Sequence, residues 1–321
     1  MRARRLALGL ALLSITGSPS SALAQAWPIP EKAGAVSLVY QWINNTGHRL
    51  SDGVLLDDGK SHNQGLALAV DYGVTRKLSV SVGIPFVGAK FLGPNPPPVP
   101  PELQSPNDLD GEWHSGFQDF ALSARYNVLS HGAFVLTPAV AVVIPSHSYD
   151  YRGEAVLGRR LKELQLGVNL GRTLDEISSN LYISARYAYA FVEQAEVDVP
   201  NNRSNAGLEI GYLPVPKLTL QAMCLWQRTH GGLRFGTMPP GTPVFPGDVN
   251  TPDRVLEHDR LLRDNAFHLA GAASYSFEAV DIFAQYLAYV SGSDTHAGHV
   301  VSAGVTWYFN RPGPGRDAQS R

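Results

Sequence analysis

From residue 34 onward, apolar and polar side chains alternate at period two, in segments of roughly ten to fifteen residues set apart by turn-forming clusters. The pattern predicts twelve strands, approximately 34–45, 61–74, 77–89, 115–129, 133–146, 158–172, 180–192, 204–213, 217–230, 264–276, 279–291 and 297–310. Two of them show it plainly. Along GFQDFALSARYNVL one face carries Phe120, Leu122, Ala124, Tyr126 and Val128, and the other Asp119, Ala121, Ser123, Arg125 and Asn127. In the second strand Leu66, Leu68, Val70 and Tyr72 oppose Gly65, Ala67, Ala69 and Asp71.

The connections alternate too. Thr75-Arg76, Ser130 to Gly132, Asp175 to Ser178, Val215-Pro216 and Phe277-Glu278 are tight. Residues 46–60, 90–114, 147–157, 193–203, 231–263 and 292–296 fill the remaining gaps and are mostly much longer. Sorting of loops by parity is the habit of membrane-spanning barrels, which have short periplasmic turns and long outer loops. The lipid core offers no water to an unpaired backbone group, so only a closed sheet lets such strands cross it. The fold class expected is therefore all-β: a transmembrane antiparallel up-and-down β-barrel of about twelve strands spanning 34–310, with both termini periplasmic.

Aromatic positions agree with that topology. Tyr72, Tyr126, Tyr212, Tyr275, Trp307 and Phe309 fall near the short-turn end of the outward face, and Trp42, Phe86, Phe120, Tyr189, Phe191 and Trp226 near the long-loop end. Amphipathic rings favour the two headgroup levels, which predicts a double girdle.

Composition narrows the class further. Arg2, Arg4 and Arg5, the apolar run Leu6 to Leu13 and Ala22-Leu23-Ala24 read as a signal peptide over 1–24. Residues 25–33 are then a short periplasmic lead-in, and the Pro/Gly-rich 311–321 a disordered tail. The only cysteine, Cys224, excludes an intramolecular disulfide and, being far from the start, a lipidated leader. Charged residues make up only 17 %, low for a soluble domain and fitting for a wall that faces lipid. A net charge of -2 gives no field for nucleic acid. The partners expected are membrane lipid and lipopolysaccharide, the barrel-assembly machinery and a small hydrophobic solute, at the outer membrane of a Gram-negative bacterium.

The last strand ends in SAGVTWYF, with Ser302, Gly304, Trp307 and Phe309 in the arrangement of the C-terminal insertion signal of outer-membrane barrels. LSVSVGIPF, with Pro85 ending a strand, followed by a loop and then Gly116, Asp119, Arg125 and Tyr126, adds a second motif. On these residues the chain resembles the outer-membrane β-barrel family associated with the meta-cleavage (MetA) pathway of phenol degradation, whose members are described as transporters. The resemblance implies a barrel linked to uptake of aromatic or other hydrophobic compounds. Fatty-acid and toluene importers differ in carrying a long N-terminal hatch. The short lead-in here implies that any plug comes from the loops.

The predicted inner face is sparse but carries both signs. Asp71, Asp119, Arg125, Glu163, Arg186, Glu209 and His268 are the lumen-lining candidates, with Gln41, Gln221, Asp281 and Gln285 beside them. Glu163, Arg186 and Glu209 fall on three consecutive strands, so an arginine between two carboxylates is one possible bridge. Such a set either offsets desolvation by pairing or forms a constriction that sorts solutes by charge. Loop 90–114, with Pro96 to Pro98 and Pro100-Pro101, is expected to be stiff and extended. Loop 231–263 is unusually apolar, with Leu233, Phe235, Met238 and Phe245, which suits either a lid or hydrophobic entry site folded inward or a mobile external loop packed on its neighbours.

Catalytic and metal motifs are missing at the level of spacing. Among ten histidines none stands two residues before Ser or Thr, as a His-x-Ser lipid hydrolase on a barrel strand needs, and none forms a His-x3-His pair. His296 and His299 read as rim histidines; Asp52, Asp57 and Asp58 read as turn residues. Neither cofactor nor metal is expected. Three functions remain: a passive importer with a loop-gated lumen, a structural or partner-binding barrel, and a barrel enzyme acting on lipids. The family resemblance favours the first.

Overall fold

The computed structural model describes residues 26–56, 59–93, 110–195, 197–236 and 247–310. Residues 1–25, where the signal segment is expected, Asp57, Asp58, the prolines of loop 90–114, Met238, Phe245 and the stretch 311–321 lie outside the described residues.

Twelve long strands follow one another around a closed antiparallel sheet. They are β1 (Gly34–Arg49), β2 (Lys60–Gly73), β3 (Leu78–Leu92), β4 (His114–Phe117 continued by Phe120–Tyr126), β5 (Phe134–Ile144) and β6 (Glu163–Thr173). Then come β7 (Leu181–Val192), β8 (Asn201–Val215), β9 (Leu218–Gly231), β10 (Asn265–Ser276), β11 (Val280–Ser293) and β12 (Thr295–Phe309). β12 pairs with β1 from Gly34↔Phe309 to Arg49↔Thr295, so every strand has two neighbours and no edge is left. No described helix is long and apolar enough to cross a membrane; that says nothing of crossing by strands.

Period-two patterning becomes two faces. Leu66, Leu68, Leu122, Tyr126, Leu164, Leu166 and Trp307 project outward and are exposed, while Ala67, Asp71, Ala121, Arg125 and Gln165 project inward and are buried. A soluble protein would hide those leucines; a wall against lipid displays them. Tyr72, Tyr126, Tyr212, Tyr275 and Trp307 stand on the outer surface at the short-turn end, and Phe86 and Phe191 at the other.

Departures from the sequence pattern have local causes. β4 breaks at Gln118 and Asp119 because Pro85, opposite, has no N–H for the ladder. Register slips there, and the Gln118 N–H donates to the Pro85 carbonyl at 3.0 Å. β6 begins at Glu163 rather than near 158, because the preceding loop turns into the barrel. β8 begins at Asn201, somewhat earlier than expected. In the loop after β9 the chain forms two short helices, α1 (Pro252–Leu256) and α2 (His258–Leu261), that periodicity over so few residues does not reveal. Proline opens α1, and the Thr251 side chain accepts from the Arg254 N–H at its start.

The lead-in also differs from expectation. Residues 26–29 fold back into the short-turn mouth instead of lying outside it, while 30–32 stay exposed at its rim. Ala26 and Ile29 are buried. Thr137 of β5 donates to the Ala26 carbonyl at 2.6 Å, the Ile29 N–H donates to Ser79 of β3 at 3.2 Å, and Trp27 packs edge-on against Tyr182 of β7 at 5.5 Å. A Cβ on Gly171 of β6 would come within 2.9 Å of both Ala26 and Trp27, so a side-chain-free position makes room for this strap. The plug is therefore not built from loops alone.

Candidate functional site

Between the strap and the long loops the lumen divides into a filled half and an open half. Met223, Ala270, Leu287 and Val300, with Ile43 and Leu225 against them, fill the side lined by β9 to β12. Against β1 to β4 lies a cavity of about 190 Å³, walled by Val39, Ala67, Ala69 and Val87 with Gln41 and Asp71 among them, and bounded toward the loops by charged groups such as Glu154, Arg159 and Asp259.

Of the lumen candidates, Asp71 and Arg125 come together. The guanidinium reaches Asp71 at 3.2 Å and the Ser81 hydroxyl at 3.3 Å, while Ser81 donates to Asp71. This triad spans β2, β3 and β4 from inside. The possible three-residue bridge does not form: Arg186 feels Glu209 only through space, and Glu163 lies elsewhere. Arg186 is level with Asn169, whereas Glu163 is level with Val192, more than a full turn of the pleat away along β7. Glu163 instead pairs with Arg203 of β8, both essentially without solvent contact. Glu209 accepts from Tyr182 at 2.7 Å and Gln221 at 2.9 Å. Arg186 lies over Gly207, where a Cβ would meet its Nε at 2.7 Å. Heights along tilted strands decide these partners, and a sequence does not print heights. His268 faces inward beside Tyr289, ring centroids 5.9 Å apart.

Asp119 proves to be an anchor. Its carboxylate accepts from the Tyr149 hydroxyl and, at 3.2 Å, from the Arg160 N–H, so the break in β4 pulls loop 145–162 into the lumen. Burial, reinforced by the neighbouring Asp119 charge, raises the Tyr149 hydroxyl above its ordinary value and keeps it a donor. Farther along, Arg159 donates to the Arg260 carbonyl at 2.9 and 2.6 Å and to Asn201. Burial and the Arg203 guanidinium lower the pKa of Arg159.

The described part of the long loop after β9 packs over the mouth as a closed cover rather than an open portal; Met238 and Phe245 lie outside the described residues. Leu233, Phe235, Val249, Val255, Leu256 and Leu261 cluster with Leu50, Leu161, Ala195 and Val199, drawing four loops into one small core. Phe235 has no exposed surface. Its N–H donates to Asp294 at 2.9 Å, as does the Ser51 hydroxyl at 2.7 Å. Leu233 bridges to Leu262, and the Gly153 N–H donates to the Leu256 carbonyl at 2.9 Å. Arg260 stacks over Tyr151 at 3.5 Å. Asp52 is a turn residue, accepting from the Val54 N–H at 3.0 Å.

Under this lid the fold gathers histidines that spacing leaves apart. His258 Nε2 lies 3.1 Å from Asp259 and 3.8 Å from Glu154, His296 lies 3.1 Å from Asp259, and His48 lies 3.7 Å from it. Burial alone would favour neutral His258, but Glu154 and Asp259 prevail and raise it to about 10. His299, by contrast, faces outward against Trp42 and Tyr286. No sequence signal marks the group, because its members come from β1, two loops and β12.

The terminal motif sits on the closing seam. Ser302 accepts from Gln41 at 3.3 Å, and Gly304 leaves space for the Phe283 ring. Trp307 and Phe309 project outward with centroids 5.8 Å apart, Phe309 also lying over Gly34 and near Tyr72.

No protein-family profile and no curated protein sequence matches this chain. Among solved structures, the COG4313 outer membrane channel from Pseudomonas putida F1 superposes with a TM-score of 0.66 at 13 % identity, over 88 % of this chain and 98 % of that one. The β domain of the Bordetella autotransporter BrkA gives 0.49 at 11 %, over 87 % and 100 %, and the KdgM porin 0.44 at 8 %, over 86 % and 99 %. At such identities the first likeness bears on the fold, which is that of an outer-membrane barrel.

Proposed function

We propose that this chain is an outer-membrane channel for passive uptake of small hydrophobic or aromatic compounds, held shut at rest by its loop lid and its own lead-in. The observation that carries the reading is the cavity between those two closures. Its wall toward the strands is largely small and apolar, and its loop-facing end carries charged groups, among them Asp119, Glu154, Arg159 and Asp259, so a small solute with an apolar body and a polar handle fits it best. A purely structural barrel has no need to keep one side of its lumen open while packing the other with Met223, Leu287 and Val300. The likeness to a channel named for its outer-membrane role supports this reading, as does the resemblance to the MetA-pathway family.

In this reading the short-turn end and both termini face the periplasm, the signal segment directs export, and the insertion motif is read by the assembly machinery. Lipopolysaccharide then surrounds the long-loop girdle. The Arg125–Asp71 pair braces the wall, and Asp119 holds the plug. The test is tracer flux and single-channel conductance in liposomes, comparing the full mature chain with a form lacking 231–263. Lid removal should raise conductance and admit phenol-sized solutes. Absence of permeation in both forms overturns the proposal.

A further inference from the structure

We propose that the long-loop mouth holds one transition-metal dication of the zinc class, bound by His48, Glu154, His258 and Asp259. One ligand atom from each of the four lies within 4.8 Å of every other. In a tetrahedral zinc site with bonds near 2.0–2.2 Å, neighbouring donors stand about 3.3 Å apart. The separations here of 3.1, 3.7 and 3.8 Å bracket that edge, so side-chain rotation suffices to close the shell.

The surroundings are those of a ligand set rather than a chance cluster. The Val255 carbonyl, 2.6 Å from His258 Nδ1, can only accept, so Nδ1 carries the proton and Nε2 is turned toward the carboxylates. A metal there takes the place of the proton that Nε2 otherwise holds. His296 lies 3.1 Å from Asp259 and its ring 4.4 Å from that of His48, a second-layer position that orients both. Two imidazoles with two carboxylates suit zinc or a similar borderline ion better than calcium or magnesium, which prefer all-oxygen shells. Two carboxylates, Glu154 buried and Asp259 largely so, also supply the charge that neutralises a dication, sparing it the cost of desolvation unpaired.

The four ligands come from the end of β1, the loop before β6, and α2. A metal among them therefore clips the lid to the rim and to the loop beneath it. That gating consequence rests on the channel reading above; the site itself does not.

The test uses the full mature barrel, purified in detergent and stripped with chelator. Zinc binding is followed by calorimetry, and cobalt substitution by visible absorption. One equivalent should bind with an intense tetrahedral cobalt spectrum, and His48→Gln and Glu154→Gln should each weaken binding at least tenfold. His299→Gln, on the outer face, should leave it unchanged. Heat-modifiable gel mobility confirms that each variant is a folded barrel. Binding without stoichiometry, a weak octahedral spectrum in the wild type, or equal loss in His299→Gln overturns the proposal. A full mature barrel that takes up no metal, while the form lacking 231–263 conducts, sinks only this inference. One that binds metal yet never conducts sinks only the channel.

Discussion

Replacing Glu163 by Gln should be far more damaging than the same change at Glu209, although both are carboxylates on the inner wall. Glu163 is 3 % exposed and faces Arg203 at 0 %. Neutralising it leaves a guanidinium without its counter-charge inside the mouth, and breaking a buried pair from one side costs about 3–5 kcal/mol. Arg159 sits close by and already feels Arg203, so the loss also sharpens repulsion between two cations. Glu209 has neutral hydrogen-bond partners, Tyr182 and Gln221, and attracts Arg186 only through space, without an ion-pair contact. A glutamine keeps a carbonyl for either donor and forfeits the charge-assisted share and that longer-range attraction, about 1–2 kcal/mol. The two single variants should thus differ by roughly 1–4 kcal/mol. Denaturant unfolding of the reconstituted barrel, followed by tryptophan fluorescence and gel mobility, reads the difference. Because Arg159 ties the inner loop to the Arg260 carbonyl, Glu163→Gln should also raise channel conductance. Two variants within 1 kcal/mol of each other would refute the assignment of Glu163 to Arg203.

Phe235→Ala should cost the lid about 3–5 kcal/mol, seen as faster protease cleavage within 232–264 while the barrel keeps its heat-modifiable mobility. Gly171→Leu should drive the strap from the lumen, since even a Cβ there sits 2.9 Å from Trp27; a label on residue 26 should become accessible and single-channel current should rise. Trp307→Ala with Phe309→Ala keeps the backbone pairing to β1 but removes the outward rings; a lower yield of assembled barrel in outer-membrane fractions is expected, and an unchanged yield discounts the motif.

The wall was legible because alternation is local. A face read from Phe120, Leu122 and Ala124 needs no knowledge of neighbours, and the parity of the loops supplied closure. The lid was partly legible, through Leu233 and Phe235 in a segment too apolar for a wet loop. What escaped was everything set by three-dimensional height: Glu163 finding Arg203 instead of Arg186, and Asp71 finding Arg125 across two strands. The histidine group was illegible for the same reason, its members lying in segments up to 248 positions apart, from His48 to His296. The strap is hidden in the sequence because so short a lead-in carries no pattern of its own, while the space beside Gly171 that receives Ala26 and Trp27 belongs to another strand.

Tucking Ala26 to Ile29 inside the cylinder also constrains the order of assembly. These residues lie just before β1, the strand that zips to β12 and completes the ring. The segment must either be laid across the nascent sheet while the seam is still open or be pushed into the mouth afterwards. Laying it first lets Thr137 and Ser79 serve as docking points on strands that are already paired, so the last hydrogen-bonded seam closes the ring around it.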